Sequence, residues 1–268
     1  MNISKETLPK NTLKFTVTIP SEVLAENRAH VIKEIAGNSK VDGFRKGHAP
    51  NAIVESKIDE EKVLSEMLNH LLPNVLSEIQ KASVTIIIAE PRIKIVKFEV
   101  GMDAELSVEV AVRPEVTIGD WRTALKDSKS KDDAVAKIVD FAVLEISDLA
   151  VEEETNRALG RLLNQIEKLG ITVDAYATSQ NKTIDKLKEE YKERAEKSLR
   201  LSFILDKLAD MEKIEVTEDD IKAAINATPD ESLRASLQND EQKWYIKEVL
   251  KRNKVMELIY GSVSPNSN

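Results

Sequence analysis

Leu13-Lys14-Phe15-Thr16-Val17-Thr18-Ile19-Pro20-Ser21 decides the first half of the fold. Leu13, Phe15, Val17 and Ile19 alternate with Lys14, Thr16 and Thr18, the period-two pattern of a half-buried strand. Pro20 stops the strand. Ser21 then supplies a capping oxygen for a helix carrying Val23, Leu24, Val31, Ile32 and Ile35, with Gly37 as its terminator. Pro50 suits the first turn of a second helix. Asp59 opens a longer helical pattern reaching about Ala82, inside which Pro73 removes one backbone donor and is expected to bend the helix. Val84 to Ala89 and Arg92 to Val100 predict strands, as does the alternation of Ala104, Leu106, Val108, Val110 and Val112 with Glu105, Ser107 and Glu109. Pro114 ends the last of them. The first part is therefore α+β, with late strands returning to pair with the first.

From Gly119 to about Ala134 the apolar pattern lapses into Lys126-Asp127-Ser128-Lys129-Ser130-Lys131-Asp132-Asp133. This reads as a linker at 119–134 between an α+β domain at 1–118 and an all-α domain at 135–268. In the second domain Val135, Ile138, Val139, Val143 and Ile146 recur at helical spacing. Ala158, Leu159, Leu162, Leu163, Ile166 and Leu169 form a second helical face that Gly170 ends. Thr183 caps a run reaching about Lys213, a rod of roughly 45 Å. Its face is amphipathic at Ile184, Leu187, Tyr191 and Ala195 and broadly apolar from Leu199 to Leu208, which predicts an arm projecting from a packed body. Thr217 with Asp220 marks a further helix start, and Thr228-Pro229-Asp230-Glu231 another, read as a full capping box with proline in the first turn. The last helix spans about Asp240 to Tyr260.

Composition narrows the function classes. The 268 residues carry 39 Lys or Arg against 47 Asp or Glu, a net charge of −8, so the chain is no general polyanion binder. Eight glycines favour helix over tight-turned β structure. The absence of cysteine excludes a disulfide framework, thiol catalysis and Cys-ligated zinc. No apolar run follows Met1-Asn2-Ile3-Ser4-Lys5 and none approaches the ~20 residues of a membrane helix, so a cytoplasmic protein without a signal peptide or membrane partner is expected.

Catalytic chemistry is poorly supplied. His30, His48 and His70 have no partners at metal-ligand spacing in the sequence and read as helix-surface residues, so no metal site and no cofactor are expected. Asp59-Glu60-Glu61 and Glu152-Glu153-Glu154 read as acidic helix beginnings, where the dipole favours negative charge, rather than as acid/base pairs. There is no phosphate-cradling glycine loop and no nucleophile elbow. Tyr191 and Trp244 are each read as core.

One segment stands apart: Val41-Asp42-Gly43-Phe44-Arg45-Lys46-Gly47-His48-Ala49-Pro50. Gly43 and Gly47 permit positive φ on either side of a short tip that offers an aromatic ring and two cations. Such a tip suits a surface mixing acidic protein with phosphate, Arg45 bonding in a fork and Phe44 filling a pocket. It equally suits an ordinary helix–helix turn with Phe44 folded onto the core, and residue types alone leave both open.

The string Gly43-Phe44-Arg45-Lys46-Gly47-His48-Ala49-Pro50 resembles the ribosome-docking signature of the trigger factor family of bacterial nascent-chain chaperones, Gly-Phe-Arg-x-Gly-x-x-Pro. Arg113-Pro114-Glu115-Val116 is similar to the close of that family's N-terminal domain. Glu152-Glu153-Glu154, Leu169-Gly170-Ile171, Tyr176, Asn181-Lys182-Thr183, Ala195-Glu196-Lys197 and Ile214-Glu215-Val216-Thr217-Glu218 follow the order of its C-terminal helical domain. The resemblance implies an α+β ribosome-binding domain followed by an all-α chaperone domain with projecting helical arms. It implies that Gly43, Phe44, Arg45, Lys46 and Gly47 dock beside the polypeptide exit tunnel, on large-subunit ribosomal protein and rRNA, while the arms shield unfolded or nascent polypeptides. Family members usually carry an FK506-binding-type peptidyl-prolyl isomerase domain between these two parts. Here the 119–134 segment joins them directly, so isomerase activity is expected to be absent. Weak self-association stays open, as does the alternative of a ribosome-independent helical scaffold or assembly chaperone for folded partners.

Overall fold

The structure, a computed structural model, describes residues 1–38, 59–99 and 101–263. It divides into two compact units: Met1–Arg113 with Ser147–Ala150, and Pro114–Ile146 with Val151–Asn268. The division falls after Arg113 rather than after 118, and four residues beyond it return to the first unit. There the Ser147 hydroxyl lies 2.8 Å from that of Thr12, and Lys10 Nζ bonds Asp148 at 2.9 Å.

The first unit is a four-stranded antiparallel sheet of order β1-β2-β4-β3, formed by β1 (Asn2–Leu8), β2 (Thr12–Ile19), β3 (Arg92–Lys97) and β4 (Ala104–Ala111). Thr12 pairs with Ala111 and Ile19 with Ala104, so the early strand and the late strand are central partners. Phe15, Val17 and Ile19 from β2 and Leu106, Val108 and Val110 from β4 are completely buried. They share one core with Leu24, Val31 and Ile32 of α1 (Ser21–Asn38) and with Val63, Met67, Leu71, Val75 and Ile79 of α2 (Glu60–Ser83). The α2 residues recur every four positions and therefore form a single stripe on one helix face. Asp59 caps α2 by accepting from the Glu61 amide at 3.1 Å. Pro73 stands inside α2, which runs unbroken on both sides of it.

Two readings of this unit change, and one strand, β1, joins the sheet without having been read from the sequence. The strand β1 has no apolar alternation, because an edge strand exposes most of its length; only Ile3 and Leu8 are half-buried. The stretch Val84 to Ala89 is no strand: Val84 takes a left-handed conformation (φ 59°) that ends α2, and a single bridge from Ile87 to Val112 remains. Gly37 lies inside α1, whose helix is assigned to Asn38.

The second unit is helical: α3 (Trp121–Ala124), α4 (Lys131–Phe141), α5 (Asp148–Lys168, of which Asp148–Ala150 belong to the first unit), α6 (Val173–Ser179), α7 (Ile184–Met211), α8 (Glu218–Asn226), α9 (Glu231–Ser236) and α10 (Asp240–Gly261). The 119–134 stretch, expected as a linker, is built into this unit. Trp121, Leu125 and Ala134 are buried, and Ser130 caps α4. Its charges occupy the solvent side of a packed turn, which sequence cannot distinguish from a free tether. Glu212 anchors this turn: it accepts from Trp121 Nε1 at 3.0 Å and from the Arg122 guanidinium at 2.8 and 2.7 Å. These bonds, the Arg122 one foremost, hold the Glu212 carboxyl below the usual carboxylate range.

The helix expected to run through Val143 and Ile146 stops at Phe141. Val143 instead exchanges two backbone hydrogen bonds with Thr117, at 2.8 and 3.0 Å. The Arg200 guanidinium donates to the carbonyls of Val139, Ala142 and Leu144, satisfying acceptors freed where the helix ends. Glu152, Glu153 and Glu154 sit in the second turn of α5 rather than at its start, and Glu153 and Glu154 bond Arg157 and Arg161 along the helix. The helix start at Thr228 is capped by Asp230, with Arg234 bonding the Thr228 carbonyl. The capping box expected at Thr228–Glu231 does not form, because Asp230 is itself the cap, whereas Thr217 and Asp220, expected as a helix start, form one.

Phe15 has no exposed surface and lies at the centre of the sheet–helix core. Phe15→Ala should destabilise the first unit by about 3–5 kcal/mol, read from the urea midpoint followed by circular dichroism. A loss below about 1 kcal/mol would contradict the packing.

Candidate functional site: docking frame and exposed apolar surface

The five residues expected to dock, Gly43, Phe44, Arg45, Lys46 and Gly47, lie outside the described residues, as does the expected helix at Pro50. What the structure does define is the pair of helices that this segment joins. Arg28 on α1 meets Glu60 on α2 at 3.0 Å, and Glu34 on α1 meets His70 on α2 at 3.3 Å. Residue numbers rise together along both helices, so α1 and α2 run in the same sense where they touch. A cavity of about 180 Å³ sits at the start of the pair, lined mainly by Leu24, Ala25, Leu64, Met67 and Phe98.

The histidines are not isolated. His30 and His70 approach with ring centroids 5.4 Å apart, Glu34 beside them. Forty positions of sequence separate the two rings, so no local motif announces the meeting; tertiary packing of α1 on α2 creates it.

Besides the side chains of Trp121, Ile138, Ile204, Leu208 and Ile259, which are buried in the helical unit, two smaller apolar clusters are described. One joins α5, α6 and α7 through Leu162, Ile166 and Leu187, with Val173, Tyr176 and Tyr191 packed against them. The other joins α8 and α10 through Val216, Ile221 and Ile225, with Ile246 and Leu250 against them. The long α7 follows the expected gradient. Its first half buries only Leu187 and Ala195, while its second half buries Phe203, Ile204, Leu205, Leu208 and Ala209. An open cleft of about 760 Å³ lies between α5 and α7, lined by Thr155, Asn156, Leu159 and Thr183 and by a mixed set of charges, Asp185, Lys186, Lys188, Glu189 and Lys192.

Apolar side chains remain uncovered at several places on this unit. Trp244 is 64% exposed and Tyr245 59% on α10, Leu233 faces solvent on α9, and Leu163, Leu169 and Ile171 do so around the end of α5. Gly170 lies between the last two at φ 68°, the left-handed terminator expected there. Trp244 is thus a surface residue and not core, whereas Tyr191 is half-buried with Arg194 over its ring at 5.5 Å. The sequence pattern missed Trp244 because α10 lacks a clean apolar stripe: it buries Val255 and Ile259 and leaves both aromatics at its beginning in water.

The family model described as bacterial trigger factor protein matches residues 1–157, and that of the bacterial trigger factor C-terminus matches residues 123–261. The chain belongs to the trigger factor family. The two matches overlap, so no unmatched stretch separates them. Trigger factor of Streptococcus gordonii (strain Challis) is 31% identical over 165 residues, 62% of this chain and 37% of that protein. Trigger factor of Streptococcus pneumoniae (strain Hungary19A-6) is 33% identical over 122 residues, 46% of this chain and 29% of that one. The chain thus spans well under half the length of these trigger factors. A solved structure described as "Promiscuous Substrate Recognition in Folding and Assembly Activities of the Trigger Factor Chaperone" shares the fold, with a TM-score of 0.73 at 13% identity over 98% of this chain and 100% of its own. Among the described residues, no helix is long and apolar enough to cross a membrane.

The two tryptophans of this trigger factor member report opposite environments, Trp121 being 2% exposed. In a Trp244→Phe variant the remaining emission should be blue-shifted and weakly quenched by acrylamide. In Trp121→Phe it should be red-shifted and quenched several-fold more strongly. Equal quenching in the two variants would contradict the exposed placement of Trp244.

Proposed function

We propose that this trigger factor family member is a ribosome-associated molecular chaperone of the cytoplasm. The Gly43-Phe44-Arg45-Lys46-Gly47 loop docks at the polypeptide exit tunnel, against large-subunit protein and rRNA, and the helical unit shields apolar segments of nascent chains and so aids folding. The observation that carries this reading is the pair of family matches covering nearly the whole chain, the loop signature lying inside the first. The exposed Trp244, Tyr245, Leu169 and Leu233 support client contact. They are distributed over several helices instead of lining one deep pocket, which suits a broad, adaptable and reversible grip. Eleven aromatics in all, two Trp, four Tyr and five Phe, agree with a surface that holds many clients weakly.

For the docking loop, Arg45 and Lys46 meet phosphate and acidic groups while Phe44 supplies the apolar anchor. Replacing Phe44, Arg45 and Lys46 together with Ala should abolish co-sedimentation with vacant ribosomes while suppression of aggregation of a denatured client largely survives. Wild-type co-sedimentation should weaken as salt rises, because the cations release counterions on binding. Intact sedimentation of the triple variant would overturn the docking assignment and favour the ribosome-independent scaffold, whose crosslinks in lysate would fall on defined folded partners.

The chain is further proposed to work without an isomerase of its own, which the overlap of the two family matches supports. A proline-limited refolding reaction, which takes tens to hundreds of seconds uncatalysed, should run at its uncatalysed rate in the presence of this protein. Catalysis at substoichiometric concentration would refute this.

A further inference from the structure

We propose that His30, Glu34 and His70 form a binding site for a divalent transition-metal ion of the zinc type, clamping α1 to α2. The donors come from two helices. His30 and Glu34 stand one turn apart on α1 and so share a face, and His70 reaches them from α2. One ligand atom from each lies within 4.8 Å of the other two. The shortest separation, His70 Nε2 to Glu34 Oε2, is 3.3 Å. Ligands bound at about 2.0–2.1 Å around a tetrahedral ion stand about 3.3 Å apart, so this pair already has the required spacing. His30 is exposed and closes on the same point by rotation about its side-chain bonds.

The donor set selects the metal. Two imidazoles and one carboxylate match Zn²⁺, Co²⁺, Ni²⁺ or Cu²⁺, whereas Mg²⁺ and Ca²⁺ require oxygen ligands. Three protein ligands leave the fourth position to water. Among the described residues the surroundings are a helix surface, not a cleft with a nucleophile or oxyanion donors, so the ion is structural: a cross-link between two helices that also share apolar packing and the Arg28–Glu60 pair. These are also the helices joined by the segment bearing Gly43–Gly47. The site stands on the helix pair alone and holds whether or not that loop docks on the ribosome.

The test uses the full chain carrying no polyhistidine tag. Zn²⁺ titrated in competition with a chromophoric chelator should bind at one equivalent per chain. His30→Ala and His70→Ala should each weaken binding roughly tenfold or more, since loss of even an outer-sphere partner of a metal ligand costs about that much. Glu34→Gln should weaken it less, and His48→Ala not at all. Far-ultraviolet circular dichroism of the metal-free variants should match the wild type. A measurement on the unsubstituted protein removes any dependence on variant folding: paramagnetic Co²⁺ should broaden the imidazole proton resonances of His30 and His70 before those of His48. Three results would each overturn the proposal: no saturable Zn²⁺ binding, binding unaffected by His30→Ala and His70→Ala, or broadening confined to His48.

Discussion

The pairing of β2 with β4 organises the first unit. It joins residues 12–19 to residues 104–111 across the whole length of the domain, a long-range closure whose entropy must be offset by what it assembles. What it assembles is one buried face, Phe15, Val17 and Ile19 beside Leu106, Val108 and Val110, on which both α1 and α2 lie. Because both helices are pressed on the same sheet face, the two ends of the segment between them are held on a rigid platform.

The helical unit has its own buried interior, to which Trp121, Ile138, Ile204, Leu208, Val255 and Ile259 contribute from α3, α4, α7 and α10, and its helices carry side-chain caps from Thr172, Thr183, Thr217, Asp230 and Asn239. Ion pairs join its segments, among them Arg252 with Asp206, at 2.6 and 3.0 Å, and Arg122 with Glu212. Arg200 does similar work by collecting three carbonyls where α4 ends. Beside this packed interior, apolar side chains such as Trp244 and Leu169 face outwards, spread over several helices rather than joined in one patch.

Legibility followed the local signals. The strand at Leu13–Ile19, the stripe along α2, the cap at Thr183 and the capping box at Thr217 are encoded by residues within a few positions of one another, and each stands where the pattern puts it. Non-local features were invisible. Strand β1 pairs along its whole length with β2 but buries too little to show alternation. The Lys126–Asp133 charge run resembles a tether until Trp121 and Leu125 are seen buried beside it. The signature at Gly43–Gly47 is legible as a sequence motif alone.

By itself, the sequence determined the α+β-then-α order, the long amphipathic helix, the loop signature and the family, because periodicity, caps and short motifs are properties of neighbouring residues. Only the tertiary structure decided that Ser147–Ala150 return to the first unit, that Trp244 stands in water, and that His30, Glu34 and His70 share one place. Each of those depends on which surfaces meet after folding, and contact between distant segments leaves no trace in the spacing of either one.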